Sequence, residues 1–386
     1  MHLFVSAGEP SGDLHGANLV EMLRRHEPTL KIVGLGGDKM AAAGVDLHYP
    51  LTDLAVMWLG RALLRLPTFL RIARQAEVYF RTQRPDALIV IDYPGFHWAL
   101  AKRAYRAGIP VYYFVPPQLW AWAGWRVTKM QRWVKTVLTA LPFEEKWYCD
   151  RGVNTHYIGH PYFDELAEQK LDDDFVQSQR RPDSPLVTLL PGSRGQEVTA
   201  NFPLMLAAAS KIQAEVPNVR FCIAAFKESQ AAVVREMILG SRLPIVVHIG
   251  HTPELIEAAN ACLAVSGSVG LELMYRLKPT VVVYKITPFA RFVSRQFMTC
   301  KYISLVNLLA DEELFPEYLT TTDNSDEVAG HVIGWLKTPT SREAVVERLR
   351  KLREQVAIPG ACERAAAFLL NELRPKPHSF RQFPLG

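Results

Sequence analysis

Asp92 ends an unbroken apolar run, Ala87-Leu-Ile-Val-Ile91. A carboxylate at the end of a buried strand can take a proton from a sugar hydroxyl. It can equally be a structural acid tied to the following loop, and both readings stand at this point. Pro94 suits the first position of the next helix, which makes Tyr93 the cap and leaves Asp92 outside it. A second run, Leu186-Val-Thr-Leu-Leu190, leads through Pro191 into Gly192-Ser193-Arg194-Gly195 and a helix expected from about Gln196. Backbone N–H groups and the helix dipole at such a turn suit a phosphate, and Arg194 can add a bidentate contact. The alternative is a tight turn with a solvated arginine.

A further turn, Ser266-Gly267-Ser268-Val269-Gly270-Leu271-Glu272, again joins an apolar run to a helix. A capping box anchored on Ser268 needs its acid where Leu271 stands, so Glu272 is free to accept hydrogen bonds from a ribose. Otherwise Ser268 is an N-cap and Glu272 only decorates the first turn. Two phosphate-friendly turns in one half of the chain point to a nucleotide sugar. The turn from Ser6 to Gly16 carries Glu9, Ser11 and Asp13, and either lines an acceptor pocket or simply joins a strand to a helix. Neither it nor Gly34-Leu35-Gly36-Gly37 has the spacing of a P-loop or of a dinucleotide fingerprint, which argues against a dehydrogenase.

From Leu54 to Ala76 there is no acid, while Arg61, Arg65, Arg71 and Arg74 interleave with Met57, Trp58, Leu59, Leu63, Leu64, Leu66, Phe69 and Leu70. That mixture describes a helix lying in a membrane interface, kinked or divided at Pro67, or a core helix with a basic rim. Phe289 to Lys301 repeats it with Arg291, Phe292, Arg295 and Phe297. Trp120 and Trp122 belong either to a core or to an acyl-chain pocket. No recognition module accompanies these residues, so nucleic acid is not the expected partner.

The elements that must position these groups alternate along the chain. Strand-like runs at His2 to Ala7, Lys31 to Gly34, Ala87 to Asp92, Pro110 to Val115 and Thr136 to Thr139 are mostly separated by helix-length amphipathic segments, one near Leu14 to His26. After a polar break between about Asp164 and Pro185 the runs resume at Leu186 to Leu190, Arg220 to Ala225, Ile245 to Ile249, Ala261 to Val265 and Thr280 to Tyr284. This is the pattern of βαβ units, and it predicts an α/β protein of two doubly wound, Rossmann-like domains. The 386 residues, 49% of them hydrophobic, suffice for two cores. A net charge of +5 matters only where basic residues cluster. Five widely spaced cysteines without a C-x-x-C favour a reducing compartment over a disulfide framework or a zinc site. The N-terminus reads as a first strand, not a signal peptide. No apolar run reaches the roughly 18 residues of a membrane span, so membrane contact is expected to be peripheral.

In order and spacing, these segments resemble the lipid-A-disaccharide synthases from Ser6-Ala-Gly-Glu-Pro-Ser-Gly-Asp13 to about Glu317. Further landmarks are Leu54-Ala-Val-Met57, Ile91-Asp92, Trp120-Ala-Trp122, Leu141-Pro-Phe-Glu144, Ile158-Gly-His-Pro161, Leu190-Pro-Gly-Ser-Arg-Gly195, Ser266-Gly267 with Glu272, and Tyr302 to Ala310 around Asn307. The resemblance implies a GT-B fold with a central cleft: an acceptor- and membrane-facing domain over 1–163, a UDP-sugar domain over 185–349, and a C-terminal helix over about 350–372 returning to the first. It implies inverting transfer of 2,3-diacylglucosamine from UDP-diacylglucosamine to the 6-hydroxyl of diacylglucosamine 1-phosphate, with no cofactor and no metal. By motif, Asp92 is the base, Gly192, Ser193, Arg194, Ser266, Gly267, Ser268 and Glu272 hold the UDP-sugar, and Asn307 is a further catalytic group. Glu9, Ser11, Asp13, Trp58, Arg61, Arg65, Phe69, Trp120 and Trp122 then face acceptor or membrane, on the inner face of the cytoplasmic membrane. A homodimer is permitted. The chain departs from the family's usual residues at Arg61 (Glu), His97 (Asn), Ala123 (Arg), Val306 (Pro) and Asp311 (Gly), so the acceptor half is the altered one. The alternatives are a UDP-sugar enzyme with another acceptor, a UDP-GlcNAc epimerase, and a non-catalytic UDP-binding homologue.

Overall fold

A computed structural model describes residues 1–52 and 66–374. Among them the strands form two all-parallel sheets. In the first, β1 (His2–Ala7), β2 (Lys31–Gly36), β3 (Asp46–Pro50), β4 (Ala87–Ile91), β5 (Val111–Phe114), β6 (Thr136–Thr139) and β7 (Thr155–Tyr157) lie in the order β3-β2-β1-β4-β5-β6-β7. In the second, β8 (Leu186–Leu190), β9 (Arg220–Ala225), β10 (Ile245–Ile249), β11 (Ala261–Ala264), β12 (Thr280–Lys285) and β13 (Glu317–Thr320) lie in the order β10-β9-β8-β11-β12-β13. The central strands are covered on both faces, so they read as continuous apolar runs: every residue of β4 and β8 is buried.

Two compact units contain these sheets. Of the described residues, one comprises those within Met1–Leu119 and Gly124–Asp164 and those from Ile358 to 374; the other comprises Trp120–Ala123 and Glu165–Ala357. Where the polar break was expected, two short helices stand, Tyr162–Glu168 and Asp173–Gln179. The acidic run there is a helix start, because the Asp172 carboxylate accepts the Phe175 N–H at 2.9 Å. The returning helix expected over about 350–372 is shorter, Ala361–Leu373. Residues 350–356 finish the helix Pro339–Val356 of the second unit instead, and Pro359 with Gly360 at φ 92° separates the two. The last helix is fixed by Asp164, whose carboxylate accepts the N–H groups of Gly360, Ala361 and Cys362 at 2.6, 3.1 and 2.9 Å. Its Cys362, Ala365, Ala366, Leu369 and Leu370 join Ala17, Val20 and Leu23 of the helix Pro10–His26 in one core.

Both sheets reverse their strand order once, between β1 and β4 and between β8 and β11. Ala7 stands opposite Ile91 at the first reversal, and Leu190 opposite Ala264 at the second. Ligands of doubly wound sheets bind beyond the carboxyl ends of strands at such points.

Candidate functional site

In the first unit, the chain leaving β1 passes through Gly8 and Glu9, and the chain leaving β4 through Asp92 and Tyr93. Asp92 and Tyr93 both adopt left-handed backbone at φ 47°, a strained conformation for residues with a Cβ. The Asp92 carbonyl holds this turn: it accepts the His97 Nδ1–H at 2.6 Å and the Tyr113 hydroxyl at 2.7 Å. Because a carbonyl only accepts, the His97 proton is on Nδ1. Nε2 must then accept the Ser6 hydroxyl 2.9 Å away. Burial holds His97 neutral, with its pKa pushed down to about 4. Gly8 makes room for the turn, since a Cβ there would meet the Tyr93 ring at 2.1 Å.

With its carbonyl so engaged, Asp92 presents its carboxyl beside Glu9 and His15. Burial and the Glu9 charge push the pKa up to about 6, against smaller opposing effects of the Tyr93 N–H and His15. A carboxylate near pH 6 is matched to general-base work close to neutrality. His15 meets His160 edge-on at 6.0 Å, and burial, then His15, depress the His160 pKa to about 3. The residues alone single out neither histidine; the signals are their places, His15 in the turn from Ser6 to Gly16 and His160 in the landmark Ile158-Gly-His-Pro161. Glu9 precedes the helix Pro10–His26 as its cap, and Ser11 is exposed in the first turn. Asp13 is buried and committed: its carboxylate accepts the N–H groups of Gly37, Lys39 and Met40 at 2.7, 3.1 and 3.2 Å, anchoring the helix Asp38–Ala42.

In the second unit, Gly192 has φ 123°, and a Cβ there would meet Glu197, so glycine is required. Ser193 and Arg194 are exposed at the start of the helix Gly195–Glu215. Their N–H groups point at the Glu197 carboxylate, at 3.1 and 3.2 Å, and the Arg194 guanidinium pairs with it at 3.1 Å. An acid of the chain thus sits where a phosphate was expected. Gln230 ties the turn down by donating to the Ser193 carbonyl. At the other strand end Gly267 and Ser268 are exposed, and the Ser266 hydroxyl donates to the Ile303 carbonyl at 2.7 Å. Glu272 is nearly buried and pairs with Arg276, one helical turn on, at 3.0 Å.

Asn307 is fully buried and has every amide position in use. Its nitrogen donates to the Phe315 carbonyl and Glu317 at 2.7 and 3.0 Å, and its oxygen accepts the Leu314 and Phe315 N–H groups at 2.9 and 2.8 Å. No donor or acceptor is left for a substrate. Glu317, which the residues did not point to, also accepts the N–H groups of Ile303 and Ser304 at 2.8 and 3.0 Å, so one acid and one amide brace the segment beside Ser266.

Of the membrane-facing candidates, Trp58, Arg61 and Arg65 lie outside the described residues. Phe69 packs near Tyr93 and Phe96, at 6.4 and 5.7 Å, while Leu66, Leu70, Arg71 and Arg74 are exposed along the helix Leu66–Gln83. Trp120 is buried and Trp122 is 53% exposed. Among the described residues no three His, Cys, Asp or Glu side chains converge as metal ligands would.

Two doubly wound parallel sheets, each with polar turns at its switch point, make this a GT-B-type α/β protein. The chain is similar in structure to a putative UDP-N-acetylglucosamine 2-epimerase from Listeria monocytogenes, with a TM-score of 0.69 and 12% identity over 97% of this chain and 98% of that one. It is likewise similar to the calicheamicin glycosyltransferase, with a TM-score of 0.62 and 16% identity over 97% and 99% of the two chains. At such identities the likeness is one of fold. Sequence relatives decide further. The lipid-A-disaccharide synthetase family model matches residues 3–369. The lipid-A-disaccharide synthase of Syntrophus aciditrophicus (strain SB) is 34% identical over 374 residues, 96% of this chain and 98% of that protein. That of Myxococcus xanthus (strain DK1622) is 33% identical over 378 residues, 97% and 98% of the two. The chain belongs to the lipid-A-disaccharide synthetase family, and is a glycosyltransferase of lipid A biosynthesis.

Proposed function

We propose that the chain transfers 2,3-diacylglucosamine from UDP to the 6-hydroxyl of 2,3-diacylglucosamine 1-phosphate, with Asp92 as general base. The observation that carries this is the Asp92 carboxyl, aimed from the switch point of the first sheet with its pKa raised to about 6. Asp92 takes the hydroxyl proton as that oxygen attacks the anomeric carbon. The bond to the β-phosphate oxygen breaks, UDP leaves with the electron pair, and the sugar is inverted. Gly192, Ser193 and Arg194, with Ser266, Gly267 and Ser268, hold the phosphates by backbone N–H groups and one guanidinium. Glu272, oriented by Arg276, accepts from the ribose. Asn307 acts through the segment it braces, as a positioning residue.

The test is a detergent-micelle assay with both lipid substrates, comparing the wild type with Asp92→Asn. Disaccharide and UDP from the wild type, with kcat down about 10²-fold or more in a variant that melts no lower than the wild type, is the expected result. A folded, UDP-binding wild type that forms no disaccharide sinks the reading.

Peripheral contact with the inner face of the cytoplasmic membrane is part of the same proposal, because both substrates carry acyl chains. No described helix is long and apolar enough to cross a membrane. Support comes from Phe289, Phe292 and Phe297, exposed along the basic helix Pro288–Phe297, with Phe289 77% exposed. In the first unit, Trp125 is 66% exposed, with Arg126 and Lys129 at 5.2 and 6.0 Å from its ring. Aromatic rings beside cations suit an anionic interface. Five free thiols fit a reducing compartment. Co-sedimentation with anionic but not neutral vesicles, lost in Phe289→Ser/Phe292→Ser, is expected; vesicle binding indifferent to those residues rejects this surface.

A further inference from the structure

At the amino ends of the second sheet's strands, away from the turns just described, lies a cavity of about 470 Å³. Its wall includes Arg180, Arg181, Arg220, Lys278 and Arg342, with Glu257 as its acid. The size is that of a small-ligand site. The strand β8 separates this cavity, at Leu186, from the Gly192 turn beyond Leu190, a span of about 16 Å at roughly 3.3 Å per residue.

Part of this charge has a structural explanation. Arg180 and Lys278 both donate to the Glu257 carbonyl, at 3.1 and 2.7 Å, near the carboxyl end of the helix Thr252–Ala258, where cations are favoured. Arg180 also pairs with the Glu257 carboxylate at 2.9 Å, and the same acid serves Arg276 and Lys278 at 3.8 and 3.9 Å. The remaining guanidinium groups are not explained this way. Arg220 spends its bonds on neutral acceptors, the Ser184 hydroxyl at 3.1 Å and the carbonyls of Gln179 and Ser184 at 2.6 and 3.3 Å. Arg181 and Arg342 have no side-chain hydrogen bond or ion pair among the described residues. Like charges crowd: burial and then Arg181 push the Arg220 pKa down, and burial lowers that of Lys278, with Arg180 and Arg276 adding to the effect. A fold gains nothing from gathering such charges around a cavity; an anion seated there relieves their repulsion.

We infer that this cavity binds a multiply charged phosphate anion, held by Arg181, Arg220 and Arg342. Planar guanidinium forks match phosphate oxygens in pairs, which favours phosphate over a simple halide. A compact site at the amino ends of neighbouring strands does not have the extended basic stripe of a nucleic-acid surface. The phosphate can be free in solution or carried on a lipid headgroup, and the experiment separates the two.

Inorganic pyrophosphate is titrated calorimetrically into the full chain, into Arg181→Gln/Arg342→Gln, and into Arg194→Gln. Arg181 and Arg342 are outside the hydrogen-bonded framework, so the double variant is expected to melt like the wild type; Arg342→Gln alone serves if it does not. The expected result is a pyrophosphate site weakened about tenfold or more in the cavity variant and kept in Arg194→Gln, which affects only pyrophosphate held at the Gly192 turn. Phosphatidic acid vesicles, whose phosphomonoester carries up to two charges, are the second probe: binding to them that falls in the same variant identifies a lipid headgroup as the source. Pyrophosphate that binds equally to the wild type and the cavity variant, or that is lost only in Arg194→Gln, overturns the inference. So does failure of both probes to bind.

Discussion

His97 donates its Nδ1–H to the Asp92 carbonyl at 2.6 Å while its other nitrogen accepts from Ser6. The bond pins a backbone oxygen, and so fixes two consecutive left-handed residues without drawing on the Asp92 carboxyl. His97 is therefore a positioning residue for the proposed base. His97→Ala removes both bonds and strands the Ser6 hydroxyl in the core, a loss of about 2–4 kcal/mol. His97→Asn retains an N–H that can reach the carbonyl, so it should cost less than half as much in urea unfolding, and should retain more of the transfer rate. Equal costs for the two variants would remove the Asp92 bond from the account.

The same pair makes stability depend on pH in opposite senses. Burial lowers the His97 pKa from 6.5 to about 4. The folded form then binds fewer protons than the unfolded one, so this contribution is complete above pH 6.5 and is lost as pH falls towards 4. Asp92 is raised from 3.8 to about 6, so its folded form binds more protons and gains relative stability as pH falls from 6 towards 3.8. Each slope is at most about 1.4 kcal/mol per pH unit. Asp92→Asn removes the second and exposes the first. The variant should thus be more stable than the wild type near pH 7, and should lose stability more steeply on going to about pH 5. Urea titrations at those two values check it; parallel slopes would contradict the assignment.

Glu9 supplies the second-largest contribution, after burial, to the raised Asp92 pKa. Glu9→Gln removes that charge, so the acidic limb of kcat/KM should move to lower pH, while Asp92→Asn abolishes the limb. A pH–rate profile in micelles reads both. An unmoved limb in Glu9→Gln would mean that another group titrates.

The buried central strands were legible because their two covered faces demand continuous apolar runs. The strands that escaped, β3, β7 and β13, are all sheet edges. Half-exposed residues such as those of Thr155–Tyr157, the charged Asp46 and the turn-forming Pro50 interrupt any run there. The candidate site was legible for a related reason: Asp92, Gly192 and Ser266 each follow an apolar run, and such strand ends are where ligands of doubly wound sheets bind. What the residues could not show is which polar groups are already engaged. Asp13 serves amides at positions 37 to 40, and Asn307 serves positions 314 to 317. Those commitments depend on how loops fold over, not on spacing within a motif. The basic cavity is hidden in the same way, since Arg181, Arg220 and Arg342 meet only after the sheet has formed.

Asn307 gives a stability prediction of its own. Replacing it with Ala leaves the Leu314 and Phe315 N–H groups and the Phe315 carbonyl without their partner in a buried setting. The expected loss is about 3–5 kcal/mol, seen as a lower urea midpoint. Because the Glu317 brace on Ile303 and Ser304 loosens with it, UDP affinity should fall as well. A variant that unfolds like the wild type but loses only kcat would return Asn307 to a catalytic role.

Glu197 tests whether the Gly192 turn takes phosphate at all. Its carboxylate accepts the Ser193 and Arg194 N–H groups and pairs with the Arg194 guanidinium, the very donors a UDP phosphate needs. A bound diphosphate must displace that carboxylate or tolerate a like charge a few ångströms away, and either costs binding energy. Glu197→Gln keeps the shape and an acceptor but removes the charge. If the phosphates bind here, UDP should bind about threefold to tenfold more tightly to Glu197→Gln, an effect of roughly 1 kcal/mol, and the gain should vanish in the Arg194→Gln background. Calorimetric titration of UDP into the three proteins decides between the alternatives. A weaker complex in Glu197→Gln would make Glu197 a required part of the turn, and an unchanged one would place the phosphates elsewhere.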